Sequence, residues 1–418
     1  MFRNLQIAVL AFTAFILLTL TGCAPTAAAT RGPQYMFWPP APDAPHLQYL
    51  TTISTAGDIT GKQGKFDELV YGKNAGTDLP FQRPYGVRFF NGAIYVCDAT
   101  ADCVSILDLR KKEVRILGRT GQITLQKPID IAVAPDGLKY VADTGLGAIL
   151  AYDANDQYAG KFSLPNLRPV SVAVYQNELY VADITADKVR VFDRITGKQL
   201  RTVGEAGGSG KGKIGGAMGI AVDSSGNLFV NDVIGCLVQK FDHDGKFISQ
   251  LGGLGTGPGL FVRPKLMTID SENQLYVVDN AFQNVQMFND QGKLLTFFGG
   301  SGSHPGAMNM PAGICVSDTD IDLFAQYAHP AFQLDRVIIV SNNFGPEKIN
   351  VYGLGHLKPG TTVADISAGR VQGLFGMAAN VEDSVTADAV AKDMADTQPA
   401  SQPATPPASQ PATVPSAK

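Results

Sequence analysis

The chain has 418 residues, a formal net charge of −4 at pH 7 from 34 Lys and Arg against 38 Asp and Glu, and 17% charged residues. That balance describes an exported soluble domain and argues against a polyanion binder, which concentrates Lys and Arg on one face. Length alone suggests two or three domains, but the chain repeats itself, and a repeat array can gather most of it into one.

At the N-terminus, Arg3 precedes an apolar run over residues 7–20. The run is too short, and too promptly followed by small and polar residues, for a membrane span, and it reads as a secretory signal. Leu20-Thr21-Gly22-Cys23 then matches the bacterial lipoprotein signal, in which cleavage leaves Cys23 first and lipid-modified. An ordinary signal peptide with an incidental Cys is the alternative. Each buried acyl CH₂ is worth roughly 0.8 kcal/mol, so several chains anchor a domain to a membrane that it does not span. Ala24 stands where an inner-membrane retention Asp would. The expectation is therefore a lipid-anchored protein of the cell envelope, sorted to the outer membrane if the source is Gram-negative. A signal peptide over 1–22 and an Ala/Pro-rich tether over 23–45 follow, the tether carrying Tyr35, Phe37 and Trp38 and docking partly on the next domain.

From residue 46 to 355 a pattern recurs. A strand-like run ends in a small residue and Asp or Asn at Tyr95-Val96-Cys97-Asp98, Tyr140-Val141-Ala142-Asp143, Tyr180-Val181-Ala182-Asp183, Phe229-Val230-Asn231-Asp232, Tyr276-Val277-Val278-Asp279 and Ile339-Val340-Ser341-Asn342. The spacing, roughly 40 to 50 residues before a longer last interval, signals a propeller or array. Each repeat reads as four short strands. In the repeat from Pro128, 129–134 alternates, Pro135-Asp136-Gly137 turns the chain, and 138–142, 149–153 and 158–163 follow as strands. The sixth repeat supplies three, near 312–317, 336–341 and 348–352, and residues 46–54 resemble the missing fourth. The predicted fold is an all-β, six-bladed β-propeller of four-stranded antiparallel blades whose ring is closed by this N-terminal strand. Closure matters because an open ring leaves unpaired backbone groups at a sheet edge.

The repeats resemble the NHL-repeat family in their Gly-rich loops, in GGAMGIAVD (215–223), and in DITADKVRVFD (183–193) and DNAFQNVQMFN (279–289). Ala217 replaces the family's Pro, and Leu266 its Gly. With the lipobox, the Trp38-Pro39-Pro40 lead-in and the aromatic insertion of the sixth repeat, the chain looks like envelope lipoproteins of this type. Some of these occur with multihaem c-type cytochromes, and the resemblance implies a role in assembling an extracytoplasmic electron-transfer complex.

The recurrent Asp98, Asp143, Asp183, Asp232 and Asp279 read as caps of the turn between second and third strands, because every blade has one. The loop 204–216 lacks P-loop spacing, since Glu205 stands where Gly is required and Gly212 where Ser or Thr is. Lys211-Gly212-Lys213 is the best basic run, too little for a nucleic-acid face, so none is expected to bind. Cys97 and Cys103 flank one hairpin and are a candidate disulfide in an oxidising envelope, while Cys236 and Cys315 read as buried small residues. No Cys-x-x-Cys-His occurs for haem attachment. Asp318, Asp320 and Asp322 are the local metal candidates, although an EF-hand would need Gly at Leu323 and Glu at His329. Calcium is the one cofactor left open.

The insertion at 318–335 (DTDIDLFAQYAHPAFQLD) separates the first two strands of the sixth repeat. Phe324, Tyr327, His329 and Phe332 make it the candidate partner-binding surface, because aromatic residues are enriched at interfaces; packing on its own domain is the alternative. Beyond the ring, 356–397 reads as an extension with a polar helix near 378–395, and 398–418, rich in Pro, Ala, Gln and Ser, as a disordered tail. The sequence thus favours a lipid-anchored, non-catalytic propeller that binds an envelope protein. A metal-dependent hydrolase or lyase with a central-channel site is the alternative.

Overall fold

Alternating apolar residues bounded by Gly, Asp, Asn and Pro give every repeat the same four-stranded antiparallel sheet. The computed structural model describes residues 35–61, 81–119, 121–208 and 210–367. Cys23, the expected helix near 378–395 and the tail lie outside the described residues.

Blade 1 comprises Pro84–Phe90, Ala93–Asp98, Cys103–Asp108 and Glu113–Leu117, and blade 2 Pro128–Val133, Lys139–Asp143, Ala148–Tyr152 and Tyr158–Ser163. Blade 3 is Pro169–Tyr175, Glu178–Asp183, Lys188–Asp193 and Gln199–Val203; blade 4 is Ala217–Val222, Leu228–Asp232, Leu237–Phe241 and Phe247–Gly252. Blade 5 follows with Pro264–Ile269, Leu275–Asp279, Asn284–Phe288 and Leu294–Gly299. The molecule is a six-bladed β-propeller.

Burial explains the composition of each strand. Lys139–Asp143 and Ala148–Tyr152 are buried at every residue, whereas the outer Tyr158–Ser163 alternates between half-buried and exposed. Inner strands are covered by a neighbouring blade on both faces, so both faces of the pleat are apolar. At the hub the first strands come close together. A Cβ on Gly313 would lie 2.1 Å from the Tyr85 carbonyl oxygen, so only glycine fits between blades 6 and 1. Asp130 and Ser171 take the equivalent place in blades 2 and 3. The Asp130 carboxylate accepts from the Ser171 hydroxyl (2.8 Å) and the Val172 N–H (3.1 Å), and Ser171 Oγ accepts from the Ile220 N–H at 3.2 Å. Three blades are thereby tied in series.

The recurrent aspartates cap turns as their repetition predicts. Asp279 accepts the N–H groups of Val262 (2.8 Å), Arg263 (3.2 Å), Ala281 (3.0 Å) and Phe282 (3.3 Å). One carboxylate thus holds both the turn after its own strand and the loop entering its blade. Burial pushes the Asp279 carboxyl up, opposed by these four N–H groups.

The sixth blade closes the ring. It contains Pro311–Ser317, Phe332–Asn342 and Ile349–Leu357, and Leu47–Ile53 pairs antiparallel with the last of these, Thr52 opposite Asn350. A fifth strand, Phe37–Trp38, adds to the outer edge of Leu47–Ile53. Trp38 is buried against the rings of Phe298 and Tyr352, at 6.3 and 5.8 Å, so the lead-in packs on blades 5 and 6. The segment after the last strand turns into a short helix, Val363–Ser367, whose Ile366 is buried in the cluster shared by blades 6 and 1.

Candidate functional site

The insertion folds inward. Ile321–Tyr327 forms a 3-10 helix, and the second strand of blade 6 begins at Phe332, within the stretch expected to loop out. Phe324 and Phe332 are buried, Phe324 against Phe89 (5.6 Å between centroids) and Phe332 against Phe37 (5.5 Å). Both therefore serve the core at the seam where ring closure joins blade 6 to blade 1, and they are corrected from partner-binding residues to packing residues. His329 sits edge-on to Tyr35 at 4.7 Å, with its pKa lowered by burial. Of the four, Tyr327 alone is exposed, at 36%.

Two further expectations are corrected. Asp98, not Cys97, stands opposite Cys103, and Cys97 opposite Val104. Because neighbours along a strand point to opposite faces, the Cys97 and Cys103 sulfurs lie on opposite sides of the sheet, and both are free, buried thiols. Asp318, Asp320 and Asp322 do not converge. Asp320 is paired with Arg110 from the outer turn of blade 1, and Asp322 lies 4.0 Å from the same guanidinium. Among the described residues no group of three or more His, Cys, Asp or Glu is placed to hold a metal ion.

The end of the propeller that bears the blade-entry loops carries a ring that the sequence reading missed. Arg83, Lys127, Arg168, Gly216, Arg263 and Met310 each precede the first strand of a blade. Their carbonyls accept the N–H of Ala99, Thr144, Ile184, Val233, Asn280 and Asn343 respectively, at 3.0 to 3.3 Å, which shows the six positions to be equivalent. Four of the six are basic. Burial lowers the pKa of the Arg168 guanidinium from its ordinary value. Two residues further along, Tyr85, Ile129, Val170 and Ala312 share one apolar cluster, and Lys265 Nζ donates to the Tyr85 hydroxyl at 3.0 Å, joining blades 5 and 1.

Around this ring the same face exposes large apolar side chains. Ile234 is 61% exposed, Leu254 74%, Val262 37% and Phe344 45%. Ile234 lies in the turn that ends at Cys236, whose Sγ donates to the Val262 carbonyl at 3.3 Å, so the Ile234 turn and the Val262 loop are adjacent. Phe344 lies beneath the Arg83 guanidinium, 5.6 Å from the ring centroid. Exposed apolar side chains gathered beside basic ones are the composition of a contact surface.

At the opposite end, where first strands turn into second strands, the channel opens into a cavity of about 130 Å³ lined by Arg88, Ala132, Ala173, Ala221 and Thr268 among others. Burial pushes the nearby Asp130 carboxyl up, and the Arg88 charge opposes that shift.

Comparison with known proteins agrees on the architecture. A sequence family described as a 6-bladed beta-propeller matches residues 219–296. No curated protein matches the sequence. Among solved structures, a protein of unknown function from Bacteroides thetaiotaomicron aligns with TM-score 0.53 and 16% identity, covering 73% of this chain and 75% of that one. Virginiamycin B lyase from Staphylococcus aureus aligns with TM-score 0.45 and 14% identity over 65% of this chain and 95% of that one. For hydrazine synthase from Kuenenia stuttgartiensis the values are 0.43 and 14%, over 68% and 98%. At 16% identity the likeness to the Bacteroides protein is one of fold, and the chain is a six-bladed β-propeller.

Proposed function

We propose that this propeller is a lipid-anchored scaffold of the cell envelope that binds another envelope protein through its blade-entry face. The observation that carries the reading is the exposure of Ile234, Leu254, Val262 and Phe344 on that face, while the phenylalanines of the rival surface are buried. Blades hold these loops in fixed relation, so binding orders little additional chain and loses less entropy. The lipobox ending in Cys23 supports an N-terminal lipid anchor. The resemblance to lipoproteins that occur with multihaem c-type cytochromes supports a cytochrome as the partner.

The test uses the full chain. Affinity capture from envelope membranes is compared for the native protein, an Ile234→Asp/Leu254→Asp variant and a Tyr327→Ala variant, with haem absorbance read in each captured fraction. The expected result is a haem-containing partner held by the native and Tyr327→Ala proteins and lost from the double variant. The same captured set from all three would reject the surface. Replacing Cys23 by Ala is expected to move the protein from the membrane to the soluble fraction.

A further inference from the structure

The cavity at the far end of the channel is built by an unequal ring. Arg88, Ala132, Ala173, Ala221, Thr268 and Cys315 hold the same place, fifth residue of the first strand, in blades 1 to 6. Ala132, Ala173, Ala221 and Thr268 are small, and with Arg88 they line the cavity of about 130 Å³. Val133, Val174, Val222, Met267 and Ile269 also line it, and among the described residues Arg88 is the one charged residue that does. Its Nε donates to the Ile131 carbonyl at 3.3 Å, which fixes the root of the guanidinium. Among the described residues its two Nη groups make no hydrogen bond. The nearby carboxylate of Asp130 is committed to Ser171, Val172 and Ile131 and forms no ion pair with Arg88. A guanidinium held at its root, with two uncommitted donors and set in this cavity, presents the fork that a carboxylate fits.

We infer that this cavity binds a small aliphatic carboxylate, its carboxylate oxygens on the Arg88 Nη groups and its alkyl chain against Val174, Val222 and Ile269. The size limits the ligand. An apolar protein cavity of roughly 150 Å³ accommodates benzene, so acids of about three to five carbons fit and longer chains do not. The site lies at the opposite end of the channel from the proposed docking face, and neither reading depends on the other.

Isothermal calorimetry on the purified full chain would test it, with propionate, butyrate and isovalerate as probes, butyramide as the uncharged isostere and inorganic phosphate as a plain oxyanion. Saturable binding of butyrate is expected, with butyramide at least about tenfold weaker, as befits a charge-assisted pair, and phosphate weaker than butyrate. Arg88→Gln should abolish butyrate binding. Should that variant fail to fold, Ala221→Leu keeps the arginine, fills the cavity and should abolish binding equally. Three results would overturn the inference: no saturable heat with any acid, equal affinity for butyrate and butyramide, or phosphate bound in preference to butyrate. Undiminished butyrate binding in a folded variant of either kind would do the same.

Discussion

The buried side-chain amide of Gln48 accepts the main-chain N–H of His329 at 2.9 Å, across 281 residues of sequence, and donates to the Tyr327 carbonyl at 3.1 Å. The strand that closes the ring thereby clasps the one large insertion in the ring. Gln48→Leu would leave a part-buried N–H and C=O without their partner, at a combined cost of roughly 1–3 kcal/mol. Chemical denaturation should show a lower midpoint at unchanged slope.

Phe324 is the seam's other fastener. Because it is buried against Phe89, Phe324→Ala should destabilise by about 3–5 kcal/mol. Tyr327→Ala, at an exposed position, should leave the unfolding midpoint within about 0.5 kcal/mol of the native value. Equal effects of the two substitutions would show that the insertion does not pack as described.

Trp38 ties the lead-in to the ring. Its contacts with Phe298 and Tyr352 predict a loss of about 3–5 kcal/mol in Trp38→Ala. Tryptophan fluorescence reports on it directly, since the chain has one Trp. Native emission should be blue-shifted and should move to the red in the same transition as the far-UV signal.

Acid should weaken the clasp between blades 3 and 4. The Glu178 carboxylate accepts from Arg201 Nη2 (2.8 Å) and the Tyr180 hydroxyl (2.7 Å), and faces His243 Nε2 at 3.1 Å. Burial alone would push its pKa up, but the Arg201 and Tyr180 hydrogen bonds and the charges of Arg201 and His243 hold it below the usual carboxylate range. A depressed folded pKa contributes stability above the unfolded value, about 4.3 for Glu, and that stability is lost as pH falls through the folded pKa. The stability gap between the native protein and Glu178→Gln should be constant at neutral pH and shrink on acidification below about pH 4.3. A gap that held would show no linkage, and one that widened would reverse its sign.

The thiols should be silent. Burial pushes Cys97 up strongly and Cys315 up to about 12, so neither reacts as a thiolate at neutral pH. A thiol reagent should label the propeller's cysteines only on unfolding, and a reductant should leave the melting temperature unchanged. A reductant-sensitive melt would restore the Cys97–Cys103 bridge.

Much of this architecture was legible in the sequence because it rests on periodicity. The small-residue-Asp ending recurs wherever a strand meets its turn, and the lone fourth-strand pattern at 46–54 had one vacancy to fill. What escaped depends on register and on three-dimensional closure. A shift of one residue places Cys97 and Cys103 on opposite faces, and no composition rule detects that. Phe324 and Phe332 look like an exposed aromatic cluster until the seam between blades 6 and 1 supplies the core that receives them. The basic ring was present in the sequence as Arg83-Pro84, Lys127-Pro128, Arg168-Pro169 and Arg263-Pro264. It was missed because basic residues were read for contiguous runs, not for their place in the repeat. Arg88 carried no signal, since a single Arg in one strand means nothing until its five equivalents prove small.

Amide hydrogen exchange on the full chain tests the closure on which the two faces and the seam depend. Leu47–Ile53 is hydrogen-bonded to Ile349–Leu357 within one sheet. The two segments should therefore be protected to a similar degree and lose protection together, in the same global opening. Rapid exchange over Leu47–Ile53 while Ile349–Leu357 stays protected would contradict it.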